Sequence, residues 1–256
     1  MNKITKEFHN QGHVKIKNFL SIKEKKIIKD IIYENFKKSL NLKKKFNLEH
    51  KDFHKQLIGL RKKNPKKFGE IYDNINLSSK FRSIFYTEKF LKTFAKILKV
   101  NPNQIFITGF MMRLDAPKDK RNILDWHQDS SYYMMAYPKF NAGVCWCAVT
   151  QNDQKNGTLV FVPKTHKKFL KTKSSNKKKG ITQQNKIRVN KKDLSNSLNL
   201  NQNFGDASFL HMNLKHRSGD NFSKKVRISM ACRFIDMSKS FNTGIEFYRY
   251  NDKKFN

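Results

Sequence analysis

The amino-acid sequence predicts a mainly β protein with flanking helices, an α+β chain built around a jelly-roll core. Helical patterns come first, and strand-like patterns follow from about residue 105. This order is typical of a β sandwich or barrel with helices packed outside it. The β-rich runs are short and separated by polar turns, and their number and length fit two facing sheets. These runs are IFITGFMMRL, AGVCWCAVT, TLVFVP, DASFLHM and VRISMACRFI.

The region before residue 105 should supply one strand and the flanking helices. HVKIKNFL, residues 13–20, alternates apolar residues with lysines, which is the period of a half-buried strand. Ser21 and Glu24 have the spacing of a capping box, and the isoleucines that follow recur at helical spacing, so a helix should begin here. Residues 87–99 predict another amphipathic helix, and the charged stretch 40–75 is helical or irregular.

No Pro/Gly linker and no internal repeat divides the 256-residue chain. We therefore expect one domain over residues 1–256, with the first strand and helices in 1–104 and the β core in 105–236. The N-terminus lacks an apolar stretch of signal-peptide length, and no run approaches the roughly 18 apolar residues of a membrane span. The sequence therefore favours a cytoplasmic protein without a membrane partner.

A formal net charge of +34 raises the question of a nucleic-acid partner. The 54 basic residues comprise 45 Lys and only 9 Arg, and the lysines are scattered along the whole chain. Surfaces that bind phosphates usually concentrate Arg as well as Lys. We therefore do not expect nucleic acid as the partner. The densest lysine block, KTHKKFLKTKSSNKKKG at 164–180, is typical of a solvated loop.

The three cysteines, Cys145, Cys147 and Cys232, form no plausible disulfide framework. Cys145 and Cys147 lie two positions apart in an apolar run, so on a strand they point to the same face. No second Cys/His pair completes a zinc site. We interpret the cysteines as small buried hydrophobic residues.

The segment DWHQDSSYY, residues 125–133, places His127 and Asp129 two positions apart. On a strand both side chains would point into the mouth of a barrel. Two neutral imidazoles and one carboxylate on one face of an iron ion leave three adjacent positions free, as in the non-haem Fe(II) oxygenases. Such a site needs a second histidine from a distant strand. The candidates beyond this motif are His166, His211 and His216.

His216 lies in KHRSGDN, just before the strand-like run VRISMACRF, and Arg227 follows it by 11 residues. An arginine at this position would enter the barrel from the neighbouring strand. Its guanidinium is a rigid fork that matches a carboxylate, which is what anchoring the distal carboxylate of 2-oxoglutarate requires. Ser218 offers a hydroxyl to the same carboxylate.

WHQD, NGTLVFVPKTHK and HRSGDN followed by R-I-S resemble the motifs of the phytanoyl-CoA dioxygenase family. Its members are Fe(II)- and 2-oxoglutarate-dependent oxygenases on a double-stranded β-helix. The resemblance runs from about residue 105 to 236, and GHVKIKNFLSIKE is similar to the family's opening strand and helix. Four ordered motifs are more specific than His-x-Asp alone. One departure is Lys164, where the family often has glycine in a turn.

The resemblance assigns the three iron ligands and the 2-oxoglutarate anchor to His127, Asp129, His216 and Arg227. Trp146 falls where the family has a tryptophan beside the cosubstrate. Gln128 and Met112 are further implied cosubstrate contacts, although strand alternation would point Gln128 away from the iron.

The other aromatic and histidine residues near these motifs have simpler interpretations. Tyr132 and Tyr133 either pack at the barrel rim or line the substrate pocket. His166 lies in the loop after VFVP, and His211 follows Phe209 on a strand, so both histidines are interpreted as structural.

The resemblance implies an enzyme that binds Fe(II), 2-oxoglutarate and O2 and hydroxylates a small organic substrate, releasing succinate and CO2. Asp129 favours hydroxylation, because related halogenases replace this carboxylate with a small residue. One alternative is a nucleic-acid demethylase of AlkB-like chemistry, which the net charge and the six-residue spacing of Arg227 and Arg233 favour. The other is a non-catalytic β-barrel binding protein, which predicts a broken triad. Neither the substrate nor the oligomeric state follows from the sequence.

Overall fold

The structure is a computed structural model. It describes residues 2–43, 46–121, 123–133, 141–175 and 183–239. The N-terminal elements are α1 (Lys3–Gln11), β1 (His13–Ile16), α2 (Ile22–Leu40), α3 (Lys51–Lys63), α4 (Pro65–Leu77), α5 (Ser79–Ser83) and α6 (Glu88–Leu98). The elements that follow are β2 (Ile105–Asp115), β3 (Ala142–Ala148), β4 (Leu159–Phe161), β5 (Lys173–Ser174), β6 (Asn185–Lys186), α7 (Lys191–Ser195), β7 (Leu198–Asn199), β8 (Ala207–His211), β9 (His216–Ser218) and β10 (Arg227–Asp236).

The N-terminal elements follow the sequence pattern closely. The Ser21 hydroxyl accepts a hydrogen bond from the Glu24 amide, and the Glu24 carboxylate accepts one from the Ser21 amide, so the predicted capping box is present at the start of α2. The predicted strand is β1, the predicted second helix is α6, and the charged stretch 40–75 contains α3 and most of α4. Helix α1, capped by Asn2, was not predicted. No helix in the described ranges is long and apolar enough to cross a membrane.

Each of the five predicted β-rich runs contains a strand, namely β2, β3, β4, β8 and β10. A five-stranded antiparallel sheet has the order β1-β8-β3-β10-β2, and a three-stranded antiparallel sheet has the order β7-β4-β9. Apolar residues of β3, β8 and β10 form one cluster with Leu159 and Phe161 of β4, so the two sheets face each other across this inner core.

The three central strands of the five-stranded sheet, β8, β3 and β10, are buried on both faces. On β3, Val144 and Trp146 point into the inner core, whereas Cys145 and Cys147 point to the helices, where Phe94 of α6 stacks on a phenylalanine of β10. The predicted burial of the cysteines is confirmed. Each buried aromatic ring stabilises the fold by about 1.5–3 kcal/mol. The helix-side core contains residues from both 1–104 and 105–236, which supports one domain. The bounds of the two regions stay a prediction.

Candidate metal centre

Three side chains of metal-ligand type converge at one end of the space between the sheets. They are His127, Asp129 and His216, all buried, and their ligand atoms lie within 4.8 Å of one another. We call them the metal triad. Among the residues that the structure describes, no other cluster of three or more His, Cys, Asp or Glu side chains could hold a metal ion.

The backbone ties two members of the metal triad together. The His127 amide donates to the His216 carbonyl at 2.9 Å, and the His216 amide donates to the His127 carbonyl at 3.1 Å. Asp129 then opens a short 3-10 turn over Asp129–Ser131. Residues 125–133 therefore do not form the strand implied for the His-x-Asp motif: an isolated bridge and a turn bring the two side chains together. His216, expected just before a strand, lies in its own strand, β9.

Both histidines present the same ring nitrogen to Asp129. Nδ1 of His127 lies 2.7 Å from the Asp125 carbonyl, and Nδ1 of His216 lies 2.9 Å from the Leu214 carbonyl. A carbonyl only accepts hydrogen bonds, so each Nδ1 carries a proton, and Nε2 is the ring nitrogen left to bind a metal ion. These Nε2 atoms lie 3.6 Å and 3.9 Å from Oδ1 of Asp129. Two such nitrogens and one carboxylate oxygen fit a divalent transition-metal ion.

The electrostatic surroundings favour the protonation states that bind metal. Burial alone would raise the pKa of Asp129, but the Arg233 guanidinium and the two histidines hold the pKa of that carboxyl well below its usual range. Burial, with the neighbouring His127 ring, lowers the pKa of His216 to about 4. At neutral pH the site therefore holds an ionised carboxylate and a neutral imidazole, the forms that ligate metals.

Arg227 begins β10 and is 2 % exposed. It donates hydrogen bonds to the Gly157 carbonyl and to the Asp115 carboxylate, and its guanidinium carbon lies 5.9 Å from the centre of the Trp146 ring. Its Nε is buried without a partner within the described ranges. Arg113 donates to the same Asp115 carboxylate at 3.1 Å from two of its nitrogens. Arg227 and Trp146 are therefore brought together inside the barrel, as the sequence predicted.

Ser218 is buried two residues after His216 on β9. Their partners across the ladder, Leu159 and Phe161, belong to the inner core, so both side chains point between the sheets. The Ser218 hydroxyl accepts a hydrogen bond from the Leu124 amide at 3.2 Å. Its role beside Arg227 stays a prediction.

Two of the implied cosubstrate contacts lie elsewhere. The Gln128 amide group donates to the carbonyls of Lys168 and Asn213 and accepts from the Leu170 amide, so it pins surrounding loops and does not face the metal triad. Met112 pairs with Met230 across the ladder, and both lie in the helix-side core. The sheet therefore separates Met112 from the inner core, and the expectation for Met112 is corrected.

The tyrosines flank the metal triad. The Tyr132 ring lies 5.8 Å from the His127 ring, and its hydroxyl accepts from the Asn185 amide at 2.7 Å. The Tyr133 ring lies under Arg233, with 4.8 Å between the ring centre and the guanidinium carbon. Both tyrosines thus have packing roles at the rim, and a role of either in the substrate pocket stays a prediction.

The remaining candidate histidines make structural contacts. Nε2 of His166 lies 3.0 Å from the His9 carbonyl, which ties its loop to α1. Nδ1 of His211 accepts a hydrogen bond from the Asn213 amide at 3.0 Å. Both lie outside the metal triad, in line with the structural interpretation.

Sequence reasoning missed two residues that contact the site. Asp115 binds Arg227, a contact that requires the β2–β10 register in which the two residues are partners. Arg233 donates to Asp129. Its only sequence signal was its six-residue spacing from Arg227.

Several solved structures with a similar fold are described as non-haem enzymes. The chain belongs to the phytanoyl-CoA dioxygenase family, whose sequence model, Phytanoyl-CoA dioxygenase (PhyH), matches residues 8–229. The resemblance drawn from the motifs is thereby confirmed.

Curated relatives match about half of this chain. The peroxisomal phytanoyl-CoA dioxygenase of Mus musculus is 33 % identical over 140 residues, which are 52 % of this chain and 40 % of the mouse protein. A probable phytanoyl-CoA dioxygenase of Caenorhabditis elegans is 27 % identical over 142 residues, 53 % of this chain and 45 % of that protein. The chain thus spans less than half the length of these relatives.

Solved structures support the jelly-roll fold. EctD from S. alaskensis, crystallised with 2-oxoglutarate and 5-hydroxyectoine, has a TM-score of 0.62 at 13 % identity, covering 92 % of this chain and 76 % of its own. The non-haem monooxygenase ThoJ in its apo form has a TM-score of 0.61 at 16 % identity, covering 91 % and 77 %. The carbocyclase SnoK, from nogalamycin biosynthesis, has a TM-score of 0.57 at 15 % identity, covering 92 % and 84 %.

Proposed function

We propose that this protein is an Fe(II)- and 2-oxoglutarate-dependent oxygenase that hydroxylates a small organic substrate. One observation carries the proposal: the Nε2 atoms of two buried imidazoles and the Asp129 carboxylate converge at one end of the inner space, while a buried arginine begins the strand that leads to them. Bound Fe(II) would supply the redox chemistry that couples decarboxylation of 2-oxoglutarate, to succinate and CO2, with oxygenation of the substrate by O2.

The protein's own residues would hold and orient these reactants. The Nε2 atoms of His127 and His216 and Oδ1 of Asp129 would bind the metal. Arg227 would receive the distal carboxylate of 2-oxoglutarate through its unpartnered Nε. The Ser218 hydroxyl, which also points between the sheets, would add a second hydrogen bond. The Trp146 ring beside the guanidinium would form an apolar wall, which excludes water from the cosubstrate.

Hydroxylation is the outcome that Asp129 favours, because it fills the position where related halogenases need space for a halide. The neighbouring folds support several outcomes: EctD was crystallised with 5-hydroxyectoine, SnoN is an epimerase and SnoK a carbocyclase. The intact metal triad argues against a non-catalytic barrel, and the family match argues against the AlkB-like demethylase. A cytoplasmic location stays a prediction.

A small-molecule substrate, free of a phosphorylated carrier, is the class we favour. The lysine-rich block contributes Lys164, Lys167 and Lys168 to a surface pocket together with Lys215. Lysines of this kind are usually a solvated face, and the rest of the chain is equally lysine-rich. Lys177, Lys178 and Lys179, in the centre of the block, lie outside the described residues.

The test is a turnover screen with purified protein, Fe(II), 2-oxoglutarate and ascorbate against a metabolite library. Mass spectrometry should find a product one oxygen atom heavier than its substrate, formed together with succinate. The matched control is the Asp129→Ala variant, which should give neither. The proposal would be contradicted if the wild-type protein formed no Fe(II)-dependent succinate, either alone or with any compound of the library.

A further inference from the structure

The two oxygens of the Asp129 carboxylate have different partners. Oδ1 is the oxygen near the histidines, 3.6 Å and 3.9 Å from the two Nε2 atoms. Oδ2 lies 3.3 Å from Nη2 of Arg233, which donates a hydrogen bond to it. One oxygen therefore faces the space for a metal ion, and the other faces a guanidinium.

Arg233 is itself fixed by two further contacts. Its Nη1 donates to the Gly109 carbonyl at 3.0 Å. Its guanidinium lies over the Tyr133 ring, at 4.8 Å from the ring centre. The side chain is largely buried, at 11 % exposure. The guanidinium of Arg233 is thus held by two hydrogen bonds, to Asp129 and to the Gly109 carbonyl, and by stacking on Tyr133. It cannot turn away from the Asp129 carboxylate without losing all three contacts.

The backbone at Gly109 is shaped for this arrangement. In the β2–β10 ladder, Ala231 pairs with Met111 and Arg233 pairs with Thr108, so β2 has one residue more than β10 at this point. Gly109 lies in this bulge with a φ of +59°, where a Cβ would come within 2.6 Å of the Tyr133 hydroxyl and 2.9 Å of Cδ of Arg233. Such bulges re-aim groups beside functional sites. Here the bulge presents the Gly109 carbonyl to Arg233.

We propose that Arg233 is a positioning residue that keeps Asp129 a one-oxygen ligand of the metal. A carboxylate binds a metal ion through one oxygen or through both. Because Arg233 occupies Oδ2, only Oδ1 is available, and the metal triad contributes three ligand atoms. Three adjacent positions then stay open, two for 2-oxoglutarate and one for O2. This inference rests on the proposed function and explains why a second buried arginine lies beside the site.

The experiment uses nitric oxide, a stable analogue of O2, to test whether one coordination position on the iron is still open once 2-oxoglutarate is bound. Wild-type protein, loaded anaerobically with Fe(II) and 2-oxoglutarate, should bind nitric oxide and give the electron paramagnetic resonance signal of an iron–nitrosyl. The Arg233→Met variant frees Oδ2, which then takes up the third position. This variant should still bind Fe(II) and 2-oxoglutarate, and its nitrosyl signal should fall at least tenfold.

Arg61→Met is the matched control, because Arg61 makes an ion pair of 3.1 Å with Asp119 away from the metal triad. Its nitrosyl signal should equal that of the wild type. An unchanged signal in Arg233→Met would overturn the inference, and so would loss of Fe(II) binding, because Arg233 would then hold the metal site together as a whole. Should Arg233→Met not fold, Arg233→Ala decides, because it too leaves Oδ2 without a donor: a reduced signal supports the inference and a wild-type signal overturns it. Failure of wild-type protein to bind Fe(II) and 2-oxoglutarate would instead refute the proposed function.

Discussion

Replacement of Arg227 by lysine tests the cosubstrate site at a single side chain. Arg227 already donates to Asp115 and Gly157, and its Nε is the donor left for a ligand carboxylate. Lysine keeps the positive charge that Asp115 requires. It offers a single ammonium where the arginine offers a planar fork, so it cannot serve two protein partners and the ligand with the same geometry.

The expected loss follows from one hydrogen bond to a charged group, about 1.5–3 kcal/mol. At about 1.4 kcal/mol per tenfold, the Kd of 2-oxoglutarate should rise roughly 10- to 150-fold. Fe(II) affinity should be unchanged. Arg227 and Arg233 are six residues apart on β10, which separates their Cα atoms by about 20 Å, and only Arg233 contacts the metal triad.

Anaerobic calorimetric titration of the Fe(II)-loaded protein with 2-oxoglutarate measures this Kd, and a separate titration measures Fe(II) affinity. Thermal unfolding of the variant shows that the barrel is intact. A 2-oxoglutarate Kd within threefold of wild type, in a folded variant, would move the anchor to another residue. An equal loss of Fe(II) affinity would mean that the two ends of β10 are not independent.

Alanine at any member of the metal triad should abolish stoichiometric Fe(II) binding, measured by elemental analysis. The far-ultraviolet circular dichroism should stay unchanged, and a variant that retains iron would show that the replaced residue is not a ligand. Burial lowers the pKa of His54 to about 4, so the unfolded chain, with a pKa near 6.5, takes up this proton first as the pH falls. The His54 contribution is therefore fully present above pH 6.5 and is lost towards pH 4, at up to about 1.4 kcal/mol per pH unit. His54→Asn keeps an acceptor for the Val226 amide, so it should reduce this slope in urea unfolding, and an unchanged slope would contradict the reasoning. Serine at Lys167 and Lys168 should leave turnover of an identified substrate unchanged at low and high salt, whereas a loss that appears only at low salt would indicate a phosphorylated carrier.

The regular elements were predictable because their signals are local. The capping box of Ser21 and Glu24 marked the start of α2, and alternation of apolar and polar residues marked β1. The strands of the core were visible as short apolar runs. Helix α1 was missed because its short, polar sequence, KITKEFHNQ, has only Phe8 as a large, fully buried side chain.

The metal triad was predictable in composition but not in local geometry. The spacing of His127 and Asp129 suggested a strand, whereas a bridge to His216 and a turn produce the same convergence. The misplaced cosubstrate contact, Met112, followed from a motif position without knowledge of which face of β2 it occupies. The role of Arg233 depends on a bulge at Gly109, and bulges shift the register of a ladder in a way that a single sequence does not display.

The reciprocal bonds between His127 and His216 are made by backbone groups, and backbone carbonyls orient both imidazoles, so the protein's own contacts fix the two rings. Little chain ordering is then left for the incoming ion to drive. A rigid site of two nitrogen ligands and one oxygen ligand discriminates poorly among divalent ions of similar size. The affinities of such a site rise from manganese and iron towards nickel and copper. We infer that the protein depends on its surroundings for the correct metal: under the proposed function a supply rich in ferrous ions gives the active form, and traces of nickel or copper would bind the same three ligands and inactivate it.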